Sequence, residues 1–135
     1  MITYVDATAK ARRTAGVIPL HGSEGFEGMR RAGALTARAL DALTPFVEAG
    51  VPTSTIDRVA YEFARDNGAV PATIFYKGYR HSVCTSINHV VCHGIPDERP
   101  LREGDIVNVD LTLVLDGWHG DSSRMYPVGE ISRKA

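Results

Sequence analysis

The residue pattern predicts an α+β domain in which two helices pack on an antiparallel sheet. Three features lead there: apolar spacings of three and four through the first half, a period of two from Ile106 to Leu115, and an Asp116-Gly117 pair joining that run to a second strand. With 135 residues the chain can bury one core without disulfide or metal staples. Hydrophobic residues make up 44% and charged residues 23%, which places it among globular rather than disordered sequences. Lys plus Arg number 15 against 16 for Asp plus Glu, so there is no electrostatic reason to expect nucleic acid or a membrane surface as a partner. No apolar run approaches the roughly 20 residues of a membrane span, and the N-terminus lacks a signal's apolar stretch. Two cysteines do not make a disulfide framework. A cytoplasmic protein is expected.

Residues 1–22 mix small, basic and Gly/Pro residues without a period and read as a loosely attached N-terminal extension; residues 23–135 read as the domain. A first helix is expected from Ser23 as N-cap, with Phe26, Met29, Ala32, Leu35, Ala39 and Leu43 on its apolar face. Gly25, Gly28 and Gly33 weaken it, and Pro45 with Gly50-Val51-Pro52 ends it. A second helix should start at Ser54, with Asp57 completing a capping box, bury Ile56, Val59, Ala60 and Phe63, and stop at a left-handed Gly68. Val70 to Phe75 and Ser82 to Cys92 are rich in β-branched and aromatic residues and read as strands.

From Ile106 to Leu115, Val107, Val109, Leu111, Leu113 and Leu115 fall on one parity, and Asn108, Asp110 and Thr112 on the other. Asp116-Gly117 is a strong signal for a type I′ hairpin turn, whose two central residues both need positive φ. With those two as the loop, Leu115 faces Trp118, Asp110 faces Ser123 and Thr112 faces Asp121. Asp110 and Asp121 then leave the same side as diagonal neighbours, about 7–8 Å apart at Cα. Two carboxylates on one face repel each other unless a cation sits between them. Lys, Arg or a divalent metal would serve, and an exposed face with merely solvated acids is the bland alternative. Paired hard oxygen donors suit Mn, Fe, Co or Zn. His93, where Val90-Val91-Cys92 opens into Gly94-Ile95-Pro96, could be handed to a cleft, although a lone His beside apolar residues is more often structural.

Taken together, Ser82-Val83-Cys84-Thr85-Ser86-Ile87-Asn88, Val90-Val91-Cys92-His93-Gly94-Ile95-Pro96, Gly104-Asp105-Ile106-Val107-Asn108-Val109-Asp110 and Asp116-Gly117-Trp118-His119-Gly120-Asp121-Ser122-Ser123 resemble the signatures of type I methionine aminopeptidases. Phe26 to Gly33 resembles that family's first helix, and the likeness runs from about Gly22 to Gly129. The resemblance implies half of a pita-bread (creatinase/aminopeptidase-like) fold. It implies two divalent metal ions (Co, Mn, Fe or Zn), with Asp110 on one ion and Asp121 bridging both. His93 would hydrogen-bond the substrate near the scissile amide, and Tyr76, Tyr79 and Cys84 would line the pocket for the methionine side chain. The implied reaction removes the N-terminal methionine from nascent polypeptides.

The family's domain is about twice as long, its second half supplying a metal-ligating His and two Glu. The chain alone is therefore expected to bind metal weakly and to be inactive or nearly so, with a homodimer or a complementing C-terminal half as conceivable partners. An uncovered apolar sheet face is expected too. His89 stands where the family has an acid, and Thr73 where it has a Cys, which should make the pocket wall slightly more polar. Two other readings compete: a non-catalytic binding relative or fragment of the same fold, and a structural zinc held by His81, Cys84, His89 and Cys92.

Overall fold

A computed structural model of the chain describes residues 3–6 and 17–135. Within the N-terminal extension, β1 (Thr3–Asp6) pairs in parallel with β2 (Val17–Leu20), so this aperiodic segment carries strand pairing that its composition did not announce. The remainder of the extension, residues 1–2 and 7–16, lies outside the described residues.

Helix α1 (Ser23–Leu43) and helix α2 (Thr53–Asp66) follow, linked through a 3-10 turn, Thr44–Phe46. Gly22, extended at φ −90°, caps α1, so Ser23 is the first helical residue rather than the cap. The buried face of α1 runs through Gly25, Gly28, Ala32, Leu35, Thr36, Ala39, Leu40 and Leu43. Phe26 and Met29, expected in the core, stay 62% and 50% exposed. The reason lies across the interface. A Cβ on Gly28 would run into the Trp118 indole, and one on Gly120 would run into the Ala32 carbonyl. In its first two turns the helix puts glycines, not its large side chains, against Trp118, because the indole needs the room.

The start of α2 departs from the capping-box reading. Pro52 is the N-cap, no side chain caps the helix, and Ser54 lies inside it. The free Ser54 N–H donates instead to the Asp97 carbonyl at 2.9 Å, so a distant loop satisfies the helix end. Ile56 and Ala60 are buried, Val59 and Phe63 pack at the margin, and Gly68 closes the helix at φ +70°, all as the pattern predicts.

Four strands complete the fold: β3 (Val70–Pro71), β4 (Cys84–Ile87), β5 (Ile106–Leu115) and β6 (Trp118–Pro127). The long β5 pairs antiparallel with β6 along one edge, and β4 and β3 share its other edge end to end. The two expected strand runs are much shorter than their composition suggested. The first stops at Pro71, the chain turning from residue 72 to a left-handed Phe75 at φ 64°, and Asn88 at φ 54° turns the chain after Ile87 in the second. The hairpin register is as derived: Leu115 faces Trp118, Asp110 faces Ser123 and Thr112 faces Asp121. Asp116 and Gly117 take φ 50° and 81°.

Val107, Val109, Leu111 and Leu113 are fully buried in one core with residues of both helices. The apolar face of the sheet is thus covered, contrary to expectation. The open face carries Asn108, Asp110, Thr112, Asp121 and Ser123. Besides Phe26 and Met29 on α1, exposed apolar side chains include Phe75, Tyr76, Val91 and Ile95 on the loops around β4. Among the described residues, no helix is long and apolar enough to cross a membrane.

Candidate metal and substrate site

The β5–β6 hairpin sets the geometry of the acids. Asp110 and Asp121 stand on its open face, on neighbouring strands and diagonal to one another. Burial first, and the facing Asp121 charge second, push the Asp110 carboxyl above its ordinary range, while His93 pulls it the other way. Asp121 accepts a 2.8 Å hydrogen bond from the Thr112 hydroxyl, which aims one of its oxygens. Among the described residues neither acid has a Lys or Arg partner. Arg31 is engaged by Asp116 at 3.1 Å and Arg124 by Asp41 at 2.8 Å. Two carboxylates facing each other without a cation suit a divalent ion in kind, since hard oxygen donors are what such ions take. In number they are two, and among the described residues no group of three or more His, Cys, Asp or Glu side chains could hold a metal.

Directly beside the acids lies a cleft of about 640 Å³ lined by Thr73, Tyr76, Lys77, Gly78, Tyr79, Cys84, His93 and Ile95. The sheet register explains the adjacency, because Cys84 is the cross-strand partner of Asp110. Four of the six site residues picked out from the sequence, His93, Tyr76, Tyr79 and Cys84, therefore share one cleft, and the other two stand next to it. Lys77, Gly78 and Ile95 were not anticipated. Gly78 lies between the two runs expected as strands, and as a turn residue it signals a loop there.

His93 reaches the cleft by a strained route. It takes φ 56°, and Gly94 behind it lies so close to β4 that a Cβ there would overlap the Thr85 carbonyl. Thr85 N–H donates to the Gly94 carbonyl at 2.8 Å, and Gly94 N–H donates to Ser86 Oγ at 3.1 Å. A left-handed histidine costs about 1 kcal/mol, which those contacts offset.

The opposite wall is drier. Burial raises the Tyr79 phenol well above its usual range and also raises the Cys84 thiol. Tyr79 Oη donates to the Val83 carbonyl at 2.8 Å, leaving its ring as apolar wall. A thiol held protonated is a wall group rather than a nucleophile. Thr73 does not make the wall more polar, because its hydroxyl is spent on the His81 carbonyl at 2.7 Å.

Two residues assigned other work in the sequence meet behind this wall. Asp57, expected in a capping box, accepts from Ser82 N–H at 2.6 Å and Val83 N–H at 3.3 Å. Its other oxygen lies 2.9 Å from His81 Nδ1, which donates because a carboxylate can only accept. His81 Nδ1 is thus held by Asp57, and what speaks against the structural zinc is the placement of its four residues. Cys84 faces the cleft, His89 and Cys92 are exposed, and the four residues of the zinc alternative do not converge. The His-x-x-Cys spacing falls across a strand and a turn, which send its members apart.

The profile of Metallopeptidase family M24 matches residues 27–135. A methionine aminopeptidase of Rickettsia prowazekii is 50% identical over 117 residues, covering 87% of this chain and 45% of that protein. The methionine aminopeptidase of Escherichia coli K12 is 49% identical over 109 residues, covering 79% of this chain and 41% of that protein. The Rickettsia crystal structure superposes with a TM-score of 0.85 over 87% of this chain and 47% of its own. That of a methionine aminopeptidase from Thermotoga maritima, 32% identical, superposes with a TM-score of 0.81 over 84% of this chain and 46% of its own. The two-helix, antiparallel-sheet arrangement is thus a partial pita-bread-type fold. The chain spans under half the length of these relatives.

Proposed function

The chain belongs to metallopeptidase family M24, and from that membership we propose that it supplies one half of a cytoplasmic methionine aminopeptidase site: the substrate wall and two metal-holding carboxylates. The single observation that carries this reading is the meeting of His93, Tyr76, Tyr79 and Cys84 in one cleft beside the facing acids Asp110 and Asp121. Tyr76, Tyr79 and Cys84 would take the methionine side chain, since aromatic and sulfur-bearing walls suit a flexible thioether. His93, at the mouth between that wall and the acids, would hydrogen-bond the substrate near the scissile amide. Asp110 and Asp121 would share two divalent ions, and desolvation of Asp110 would strengthen its hold once a cation relieves the repulsion. The chemistry such ions supply when bound is acidification of a water and polarisation of the scissile carbonyl. The substrate would be a nascent polypeptide beginning with Met, its second residue limited by the width of the cleft.

Two carboxylates are too few to hold a metal pair, so the polypeptide of 135 residues is expected to bind metal weakly and to turn over little or nothing by itself. The missing donors would come from a complementing segment seated near the exposed rim of Phe75, Tyr76, Val91 and Ile95. Titration of the chain with Mn²⁺, together with a Met-Ala-Ser cleavage assay, tests this. Weak binding abolished by Asp110→Asn, with background cleavage, is expected. Stoichiometric tight metal and full turnover would overturn the half-site reading; metal binding indifferent to both Asp110→Asn and Asp121→Asn would overturn the site itself.

A further inference from the structure

The loop from Thr73 to Val83 forms the wall of the cleft, yet between β3 and β4 it has little ladder pairing of its own. Apart from a few local turns, what holds it is a small polar cluster on its far side. Asp57 receives the Ser82 and Val83 N–H groups on one oxygen and His81 Nδ1 on the other. Thr73 closes the other end through the His81 carbonyl, and Tyr79 Oη ties back to the Val83 carbonyl. The Asp57 side chain is 19% exposed and comes from the second turn of α2. The first turn of the same helix fixes the opposite wall, because Ser54 N–H and Thr53 Oγ1 both donate to the Asp97 carbonyl, just beyond His93 and Ile95.

We propose that Asp57 is a positioning residue for the side-chain pocket, holding Tyr79 and Cys84 in place through the backbone N–H groups of residues 82 and 83 and through His81. The inference rests on the cleft being the methionine pocket, but Asp57's grip on the loop is separately measurable. A carboxylate suits the task because three donors converge on it, two from backbone and one from a ring nitrogen, and charge-assisted bonds of this kind are roughly twice as strong as neutral ones. Without it, the amides of Ser82 and Val83, residues that are 2% and 0% exposed, would lose their partner and reach water only if the loop shifts. The wall would then open and expose Cys84.

The test uses the full chain, with amide exchange followed by NMR, alkylation of the Cys84 thiol by N-ethylmaleimide in a Cys92→Ser background, and binding of Met-Ala-Ser and Gly-Ala-Ser. Asp57→Ala should speed exchange at Ser82 and Val83 and alkylation at Cys84 by about tenfold or more, the scale of a lost charged hydrogen bond. It should weaken Met-Ala-Ser by a similar factor while leaving Gly-Ala-Ser unchanged. Asp57→Asn, which keeps one acceptor oxygen for the Ser82 and Val83 amides but loses the charge and the second acceptor, should recover part of the loss. Should Asp57→Ala fail to fold, Thr73→Val must produce the same local loosening from the other end of the cluster. Unchanged exchange and alkylation in these variants, or a rise spread evenly over β5 and α1, would overturn the proposal. If the wild-type chain binds Met-Ala-Ser no better than Gly-Ala-Ser, the methionine pocket falls, while the exchange data still judge Asp57's hold on the loop.

Discussion

Asp110 and Asp121 carry like charges on one sheet face, with no cationic side chain between them among the described residues. Such an arrangement destabilises the metal-free chain and rewards whatever neutralises it. Asp110→Asn should therefore raise the urea midpoint of chelator-treated protein, by about 1 kcal/mol in stability, and remove the stabilisation that Mn²⁺ gives the parent. A midpoint that falls instead would mean the two acids are not in conflict. Asp105 shows the opposite electrostatics. Burial would raise its carboxyl, but the Asn88 amide at 2.8 Å, the Arg102 N–H and the charges of Arg99 and Arg102 outweigh it and hold the group below its ordinary range. Stability from a depressed acid is present above its unfolded pKa, about 3.9, and is lost as pH falls through the lower folded value. Asn88→Ala should shrink that acid-side loss, measured by urea unfolding between neutral pH and the acid limit.

Packing decides at the level of elements. Gly28 and Gly120 let α1 and β6 approach closely enough for Trp118 to fill the gap, whereas Gly33 has nothing within 4 Å of an added Cβ. Gly120→Ala should cost about 2–3 kcal/mol, because the obstacle is the backbone carbonyl of Ala32 rather than a flexible side chain. Gly33→Ala should stabilise by about 0.5–1 kcal/mol through helix propensity alone. Equal effects at the two positions in chemical denaturation would refute this account of the α1–β6 contact. The same contact explains why Phe26 and Met29 are exposed where the apolar spacing predicts core. A hydrophobicity pattern ranks large side chains as core, and it has no means of knowing that a tryptophan on another element already occupies the space.

For the molecule as a whole, the polar face of the sheet is open and the apolar face is covered by both helices, and the two loops that border the cleft carry an exposed apolar rim of Phe75, Tyr76, Val91 and Ile95. Val91, 90% exposed, contributes little to the isolated fold. Val91→Ser should shift unfolding free energy by less than about 0.5 kcal/mol. It should nevertheless weaken binding of any segment that completes the site by covering this rim; a large loss of intrinsic stability would show that the loop is already packed.

Local rules sufficed for whatever depended on neighbours in the chain. The Asp116-Gly117 turn set the register of β5 and β6, the period of two set their buried face, and together they put Asp110 and Asp121 on one side. Each follows from backbone sterics acting over a few residues. Long-range choices were another matter. Asp57 has the spacing of a helix cap and His81 that of a metal ligand, and only the folding of one loop across α2 makes them partners. Which glycine faces a tryptophan, and which carbonyl satisfies Ser54 N–H, likewise depend on groups far away in sequence. Hydrogen bonds and close contacts are satisfied by whatever the fold brings near, and a one-dimensional pattern does not contain that distance.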